Sequence, residues 1–221
     1  MLLHVCCGPC LIGSISRILS MDDNEKKQVG IDINIDNISE ELKLFFYNSN
    51  VDTYEEYLNR LFEVEKVAEY YDLELIYDDE EDFYLKQKEW NKFISLRENY
   101  ESEKEGGSRC MLCIDFRLKE TSILAKEMNE KFSTTLTISP YKNTKKIFDL
   151  AKEKYDDFLF IDFKKREGYK ASIKLSKEFD MYRQNYCGCI YSKKNALNDG
   201  VNYDSISCSD DISDKENSDD N

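Results

Sequence analysis

The sequence predicts an α/β fold: a mostly parallel sheet with helices on both faces. Three observations carry this. Short apolar runs (Leu2–Val5, Leu42–Tyr47, Leu73–Tyr77) have the length of buried strands. Between them, apolar residues recur at three- and four-residue steps, as on one face of a helix. The two kinds of segment alternate along the chain, which requires crossover connections and so parallel pairing.

Leu2–Val5 reads as the first strand, Cys6–Cys10 (CCGPC) as a turn and Leu11–Leu19 as a helix. Residues 21–40, rich in Asp, Asn and Lys with scattered isoleucines, read as a low-complexity surface insertion. Leu42–Tyr47 is the second strand. From Thr53 to Tyr71 a helix presents Tyr57, Leu61, Val64 and Ala68 on one face, and Leu73–Tyr77 is the third strand. Phe83–Leu96, with Trp90, is helical. A loop holding Gly106 and Gly107 precedes a helix from Cys110 to Met128. Phe132–Thr137 is strand-like, Ser139–Tyr141 a turn, Asn143–Lys154 a helix and Phe158–Asp162 a fifth strand. A basic helix, Tyr169–Tyr182, leads into Tyr186–Ser192. The expectation is one Rossmann-like domain over 1–198. The acidic tail, 199–221, is too poor in large apolar residues to fold by itself. Such sheets gather their working groups at the carboxyl ends of the strands, where Cys6 and Cys7 lie.

Hydrophobic residues make up 41% of the chain and aromatics 13%, so a packed core is expected. The net charge of -14 argues against a nucleic-acid partner only weakly. Residues 21–42 account for -5 and the tail from Asp204 for -6, leaving the body nearly balanced. The first ten residues do not read as a leader, and no stretch approaches the ~18 apolar residues of a membrane span. A cytoplasmic protein is expected, in which eight cysteines point to metal or redox chemistry rather than structural disulfides. No glycine-rich phosphate cradle follows the first strand, which disfavours a nucleotide-dependent enzyme.

The cysteines form three groups: Cys6, Cys7 and Cys10; Cys110 and Cys113; Cys187 and Cys189. Cys208 stands alone in the tail and receives no role. A C-x-x-C step brings two sulfurs to one metal. Contiguous Cys6–Cys7 suits separate corners of a [4Fe–4S] cluster better than one tetrahedral zinc, so a cluster on Cys6, Cys7, Cys110 and Cys113 is favoured, with structural zinc second. Cys10 is an adjacent thiol or a ligand to a second metal ion. Cys187-Gly188-Cys189 has the tight spacing of a labile, redox-active disulfide, with two more metal ligands as the second reading. His4, on the strand entering the site, is a proton donor or a packed strand residue.

Four stretches in order, LLHVCCGPC, GGSRCMLCIDFRL, TTLTISPYK and YRQNYCGCIYS, closely resemble the QueH-type epoxyqueuosine reductases from Leu2 to about Ser192. That resemblance implies reduction of the epoxide of epoxyqueuosine to a cyclopentene, the last step of queuosine formation, at the wobble position of certain tRNAs and without cobalamin. It also implies cluster ligands at Cys6, Cys7, Cys110 and Cys113, a redox-active disulfide at Cys187 and Cys189, and an external electron donor. Two departures stand out. Where the family usually has Tyr-Asn-Pro-Asn-Ile-His-Pro, this chain reads YNSNVDT, so a looser loop without the histidine's contact is expected. Gly8 replaces a frequent alanine, expected to be without consequence.

A tRNA anticodon loop would be held by stacking and by basic residues. The candidates are Lys164, Lys165, Arg166, Lys170, Lys174, Lys177 and Arg183, with Tyr141, Lys142, Lys145 and Lys146 in the turn before. Two other classes stay open on the residues alone: a zinc-stabilised RNA-binding module and a thiol–disulfide oxidoreductase.

Overall fold

The computed structural model describes residues 1–96, 103 and 105–198. Cys208 and the acidic tail lie outside the described residues. The strands are β1 (Leu2–Val5), β2 (Lys43–Phe46), β3 (Leu75–Tyr77) and β4 (Phe132–Thr134). They form one all-parallel sheet in the order β3-β2-β1-β4. The helices in chain order are α1 (Gly8–Leu19), α2 (Asp23–Val29), α3 (Ile38–Glu41), α4 (Tyr54–Tyr71) and α5 (Glu80–Ser95). They continue with α6 (Ser108–Glu127), α7 (Thr144–Lys154), α8 (Gly168–Glu178) and α9 (Ile190–Asn198).

Strand side chains alternate between faces, and the core divides accordingly. Leu3, Val5, Leu44 and Phe46 pack with Leu11, Ile15, Leu61 and Val64 of α1 and α4. Leu2 and Phe45 face the other way, against Ile114, Leu118 and Ile147 of α6 and α7. Helices therefore cover both faces. The chain leaves β1 for β2 on one side and returns to β4 on the other. The crevice beyond the carboxyl ends of β1 and β4 is the topological switch point, where such sheets place their ligands.

The expected fifth strand does not form. Phe158 makes one parallel bridge to Phe132, and the chain then turns. The physical reason is that β4 tightens into a 3-10 turn at Thr135–Ile138, so no edge is left to pair. Hydroxyls stand in for the ladder: Ser133 donates to the Leu159 carbonyl at 3.0 Å and Thr137 to that of Ile161 at 2.9 Å. Residues 21–40 stay on the surface but are ordered by an Asp22–Glu25 capping box and anchored by buried Ile33 and Ile38.

Gly8 is not neutral, contrary to expectation. A Cβ there would lie 2.5 Å from Glu63 Cβ and 2.7 Å from the Glu63 carbonyl oxygen, so α4 approaches α1 at a distance an alanine would not allow. The YNSNVDT loop is likewise not loose. Asn48, Ser49, Asn50 and Val51 are buried, and Asn48 Nδ2 donates to the Val5 carbonyl at 3.0 Å. Hydrogen bonding to β1 and α5 holds what proline would have stiffened; Gln87 Nε2 donates to the Val51 carbonyl at 2.6 Å.

His4, the single histidine, is fully buried on β1. A carbonyl can only accept, so Nε2–H donates to that of Tyr47 at 3.0 Å, and Nδ1 accepts from the Thr134 hydroxyl at 2.8 Å. Burial, then the nearby Arg117 cation, lowers its pKa to about 4. Both nitrogens are committed, and the imidazole is a neutral packing group. The unfolded chain binds a proton near pH 6.5 that the folded chain refuses. The stability His4 contributes is therefore complete above pH 6.5 and falls as pH drops toward 4, by about 3 kcal/mol in all. Denaturant melts at about pH 7 and pH 4.5 should show a larger acid loss for the wild type than for His4→Gln; equal losses would contradict this.

Candidate metal and redox site

The turn after β1 delivers three sulfurs to the switch point. Cys7 stands at the N-cap position of α1, Pro9 occupies its first turn, and Cys10 follows one residue later. The Sγ atoms of Cys6, Cys7 and Cys10 all lie within 4.8 Å of one another. Among the described residues they are the one group of three or more His, Cys, Asp and Glu side chains close enough to share a metal ion. The Cys6 N–H donates to Thr135 Oγ1 at 3.1 Å, and that hydroxyl donates back to Cys6 Sγ at 3.4 Å. The 3-10 turn after β4 thus fixes Cys6.

Cys6 and Cys7 are buried and Cys10 is half-buried, so the three thiols shift one another's proton affinity. Hydrogen bonds from Cys10 and then Cys7 hold Cys6 well below the usual thiol range, against the effect of burial. Despite a hydrogen bond from Cys10, the interaction with Cys6 and burial push Cys7 up to about 12. Cys10 is raised by its hydrogen bonds to Cys6 and Cys7. Metal ligation requires the thiolate form, so loading such a site releases protons.

These sulfurs open into a cavity of about 470 Å³ whose walls also carry Tyr141, Tyr169 and Tyr186, with the cations Arg60, Arg117, Lys142 and Arg183. A smaller cavity adjoins it. Cys110 and Cys113, on the first turns of α6, line this one together with Cys187 and Cys189. Arg117, Lys142 and Cys187 line both. All seven described cysteines therefore converge on two neighbouring cavities, each as a free thiol. The sequence-based ligand set is divided between them: Cys6 and Cys7 stand with Cys10, while Cys110 and Cys113 stand one wall away. Burial pushes Cys113 up to about 12.

Arg117 lies where the two cavities meet, buried; burial works against its charge, and Cys113, Cys187, Cys6 and Cys110 around it outweigh that. Among the described residues its guanidinium makes one hydrogen bond, to the Cys113 carbonyl at 3.2 Å. A buried guanidinium without a carboxylate needs another anion beside it. An all-sulfur donor set with a cation at its centre fits a thiolate-ligated, net-negative iron–sulfur group.

The CGC turn is held by a clamp that no sequence motif announced. Arg60 donates from Nη1 to the Cys187 carbonyl at 3.1 Å and from Nη2 to that of Tyr186 at 3.2 Å. Its Nε pairs with Glu56 at 2.7 Å, and Glu56 also accepts from Tyr182. Gly188 has φ of 109°, and a Cβ there would meet the Arg60 guanidinium at 2.9 Å, so only glycine passes under the clamp. Asp52, which occupies the place of the family's histidine, accepts from the Tyr186 hydroxyl at 2.7 Å and pairs with Lys193 at 2.8 Å.

Lys142 and Lys164 leave the RNA-facing set. Lys142 is buried against Cys187 and Glu105, and Lys164 donates to the Lys142 carbonyl at 2.9 Å. Spacing could not reveal this, because Lys142 meets Cys187 across 45 residues. The other candidates, Tyr141, Lys145, Lys146, Lys165, Arg166, Lys170, Lys174, Lys177 and Arg183, are exposed. No helix among the described residues is long and apolar enough to cross a membrane.

Residues 1–195 match the family model described as epoxyqueuosine reductase QueH. A relative of that name from Thermotoga maritima is 35% identical over 196 residues, covering 86% of this chain and 88% of its own. One from Acinetobacter baylyi is 32% identical over 198 residues, covering 87% and 79%. One from Streptococcus pyogenes serotype M1 is 31% identical over 198 residues, covering 87% and 70%. Since the match takes in the sheet, its switch point and every described cysteine, the chain belongs to the epoxyqueuosine reductase QueH family.

Proposed function

We propose that this epoxyqueuosine reductase of queuosine biosynthesis acts on the modified nucleotide in tRNA, using Cys187 and Cys189 as a two-electron store beside a [4Fe–4S] cluster. In this reading Cys6, Cys7, Cys110 and Cys113 hold the cluster across the wall shared by the two cavities, and Cys10 is left for a second metal ion. When bound, the cluster supplies electrons one at a time. The observation that carries the proposal is the convergence of all seven described cysteines around buried Arg117 at the switch point.

Converting an epoxide to an alkene consumes two electrons and two protons and releases one water. Closing a dithiol to a disulfide yields two electrons and two protons. Oxidation of Cys187 and Cys189 therefore balances one turnover, and an external reductant must reopen the bond. The chain's own groups bind and orient the substrate. The tyrosines of the large cavity offer stacking surfaces to an unstacked base, while exposed Arg183 faces its anionic backbone. The cavity volume of about 470 Å³ suits one extruded nucleoside rather than a paired duplex.

The test is anaerobic reconstitution with iron and sulfide, followed by incubation with epoxyqueuosine-containing tRNA, a reductant and nucleoside analysis. The expected result is brown protein with broad visible absorbance and conversion to queuosine. Colourless, zinc-loaded protein would return the zinc reading, and brown protein without conversion would sink the reaction.

A further inference from the structure

The two sulfurs of the CGC turn stand in unlike surroundings. Lys142 Nζ lies 3.1 Å from Cys187 Sγ and 3.3 Å from Glu105 Oε1. The lysine is only 9% exposed, while Lys145 and Lys146, its neighbours along the chain, point to solvent. Its backbone is fixed as well: its N–H donates to the Ser139 carbonyl at 3.2 Å, and its own carbonyl accepts from Lys164. Burial works against its charge, but Cys187 and Glu105 outweigh that, leaving the ammonium harder to deprotonate than an ordinary lysine. Cys189 instead turns to Ser192, whose N–H and hydroxyl both lie 3.4 Å from its sulfur. Burial raises Cys189.

We propose that Lys142 is a catalytic residue of the disulfide-reduction step, placed to receive the negative charge that arrives on Cys187 when the Cys187–Cys189 bond opens. This rests on reading those cysteines as a dithiol–disulfide pair. In thiol–disulfide exchange the sulfur that leaves more easily as an anion decides which sulfur is attacked. A buried ammonium at hydrogen-bond distance makes Cys187 that leaving sulfur, so the reductant attacks Cys189.

The step balances with a dithiol reductant. Its first thiolate attacks Cys189 Sγ and forms a mixed disulfide. The Cys187–Cys189 bond breaks, and its electron pair goes to Cys187, which departs as a thiolate against Lys142 Nζ. The reductant's second thiolate then attacks its own sulfur in the mixed disulfide, closing the reductant's disulfide and releasing Cys189, which takes up a proton. The protein pair is reduced by two electrons and the reductant oxidised by two.

The experiment uses the full chain, oxidised with diamide, with the linkage mapped by mass spectrometry. Reduction by dithiothreitol is then timed in wild type, Lys142→Met and Lys142→Arg. Lys142→Met should slow reduction about tenfold, and Lys142→Arg, which keeps the cation, should stay within about twofold of wild type. Lys142→Gln replaces Lys142→Met if that variant does not fold. A 187–189 linkage reduced equally fast with and without the Lys142 charge overturns the proposal alone. A wild-type protein in which that linkage does not form overturns the dithiol reading, and the proposal with it.

Discussion

A chain with Cys187 and Cys189 both replaced by serine is expected to lose turnover by about a thousandfold or more while keeping the visible absorbance of the reconstituted protein. The reasoning is stoichiometric. Each turnover needs two electrons and two protons, and the pair is the one store of both in the proposed mechanism. The surrounding fold should tolerate the change. Both sulfurs are half-buried, the turn's geometry is set by Gly188 and the Arg60 clamp, and serine keeps similar volume. Absorbance spectra and nucleoside analysis of the same preparation decide the matter. Loss of absorbance together with turnover would make the two cysteines metal ligands, the alternative their spacing leaves open.

Replacing Cys7 by serine should have an equally large effect on turnover but the opposite spectral signature: visible absorbance and iron content should fall together. Cys7 is 1% exposed, belongs to the three-sulfur group and stands at the N-cap position of α1. Serine offers a hard oxygen where a soft thiolate is needed. Serine is a favoured N-cap residue, so the metal-free chain should keep its stability to within about 1 kcal/mol. Iron assay and thermal melting check the two parts separately. Retained iron at wild-type stoichiometry would remove Cys7 from the ligand set and leave the neighbouring sulfurs to carry it.

The strands and helices that were legible in the sequence are those whose signal is local. Leu2–Val5 and Leu42–Tyr47 are apolar because both faces of a parallel sheet are buried, and Thr53–Tyr71 repeats its apolar residues because one face meets the sheet. Phe158–Asp162 carries the same apolar signature and is not a strand. Whether an apolar run pairs depends on a free edge, and β4 gives up its edge when it tightens at Thr135. The YNSNVDT loop misled for a related reason. Losing prolines removes stiffness only where nothing else supplies it, and here Gln87 and the CGC turn do.

The sequence by itself determined the parallel α/β architecture, the placement of Cys6 and Cys7 at a strand's carboxyl end and the grouping of the cysteines by spacing. Periodicity and short-range spacing are written along the chain and survive without coordinates. Only the tertiary structure decided that Arg117 lies between the two cavities, that His4 is a neutral packing group and that Lys142 is buried against Cys187. Each is a meeting of residues far apart in sequence, set by the sheet's strand order and the approach of α4, α6 and the CGC turn to one crevice. Charge and hydrogen bonding act over a few ångströms of space, whatever the number of residues between.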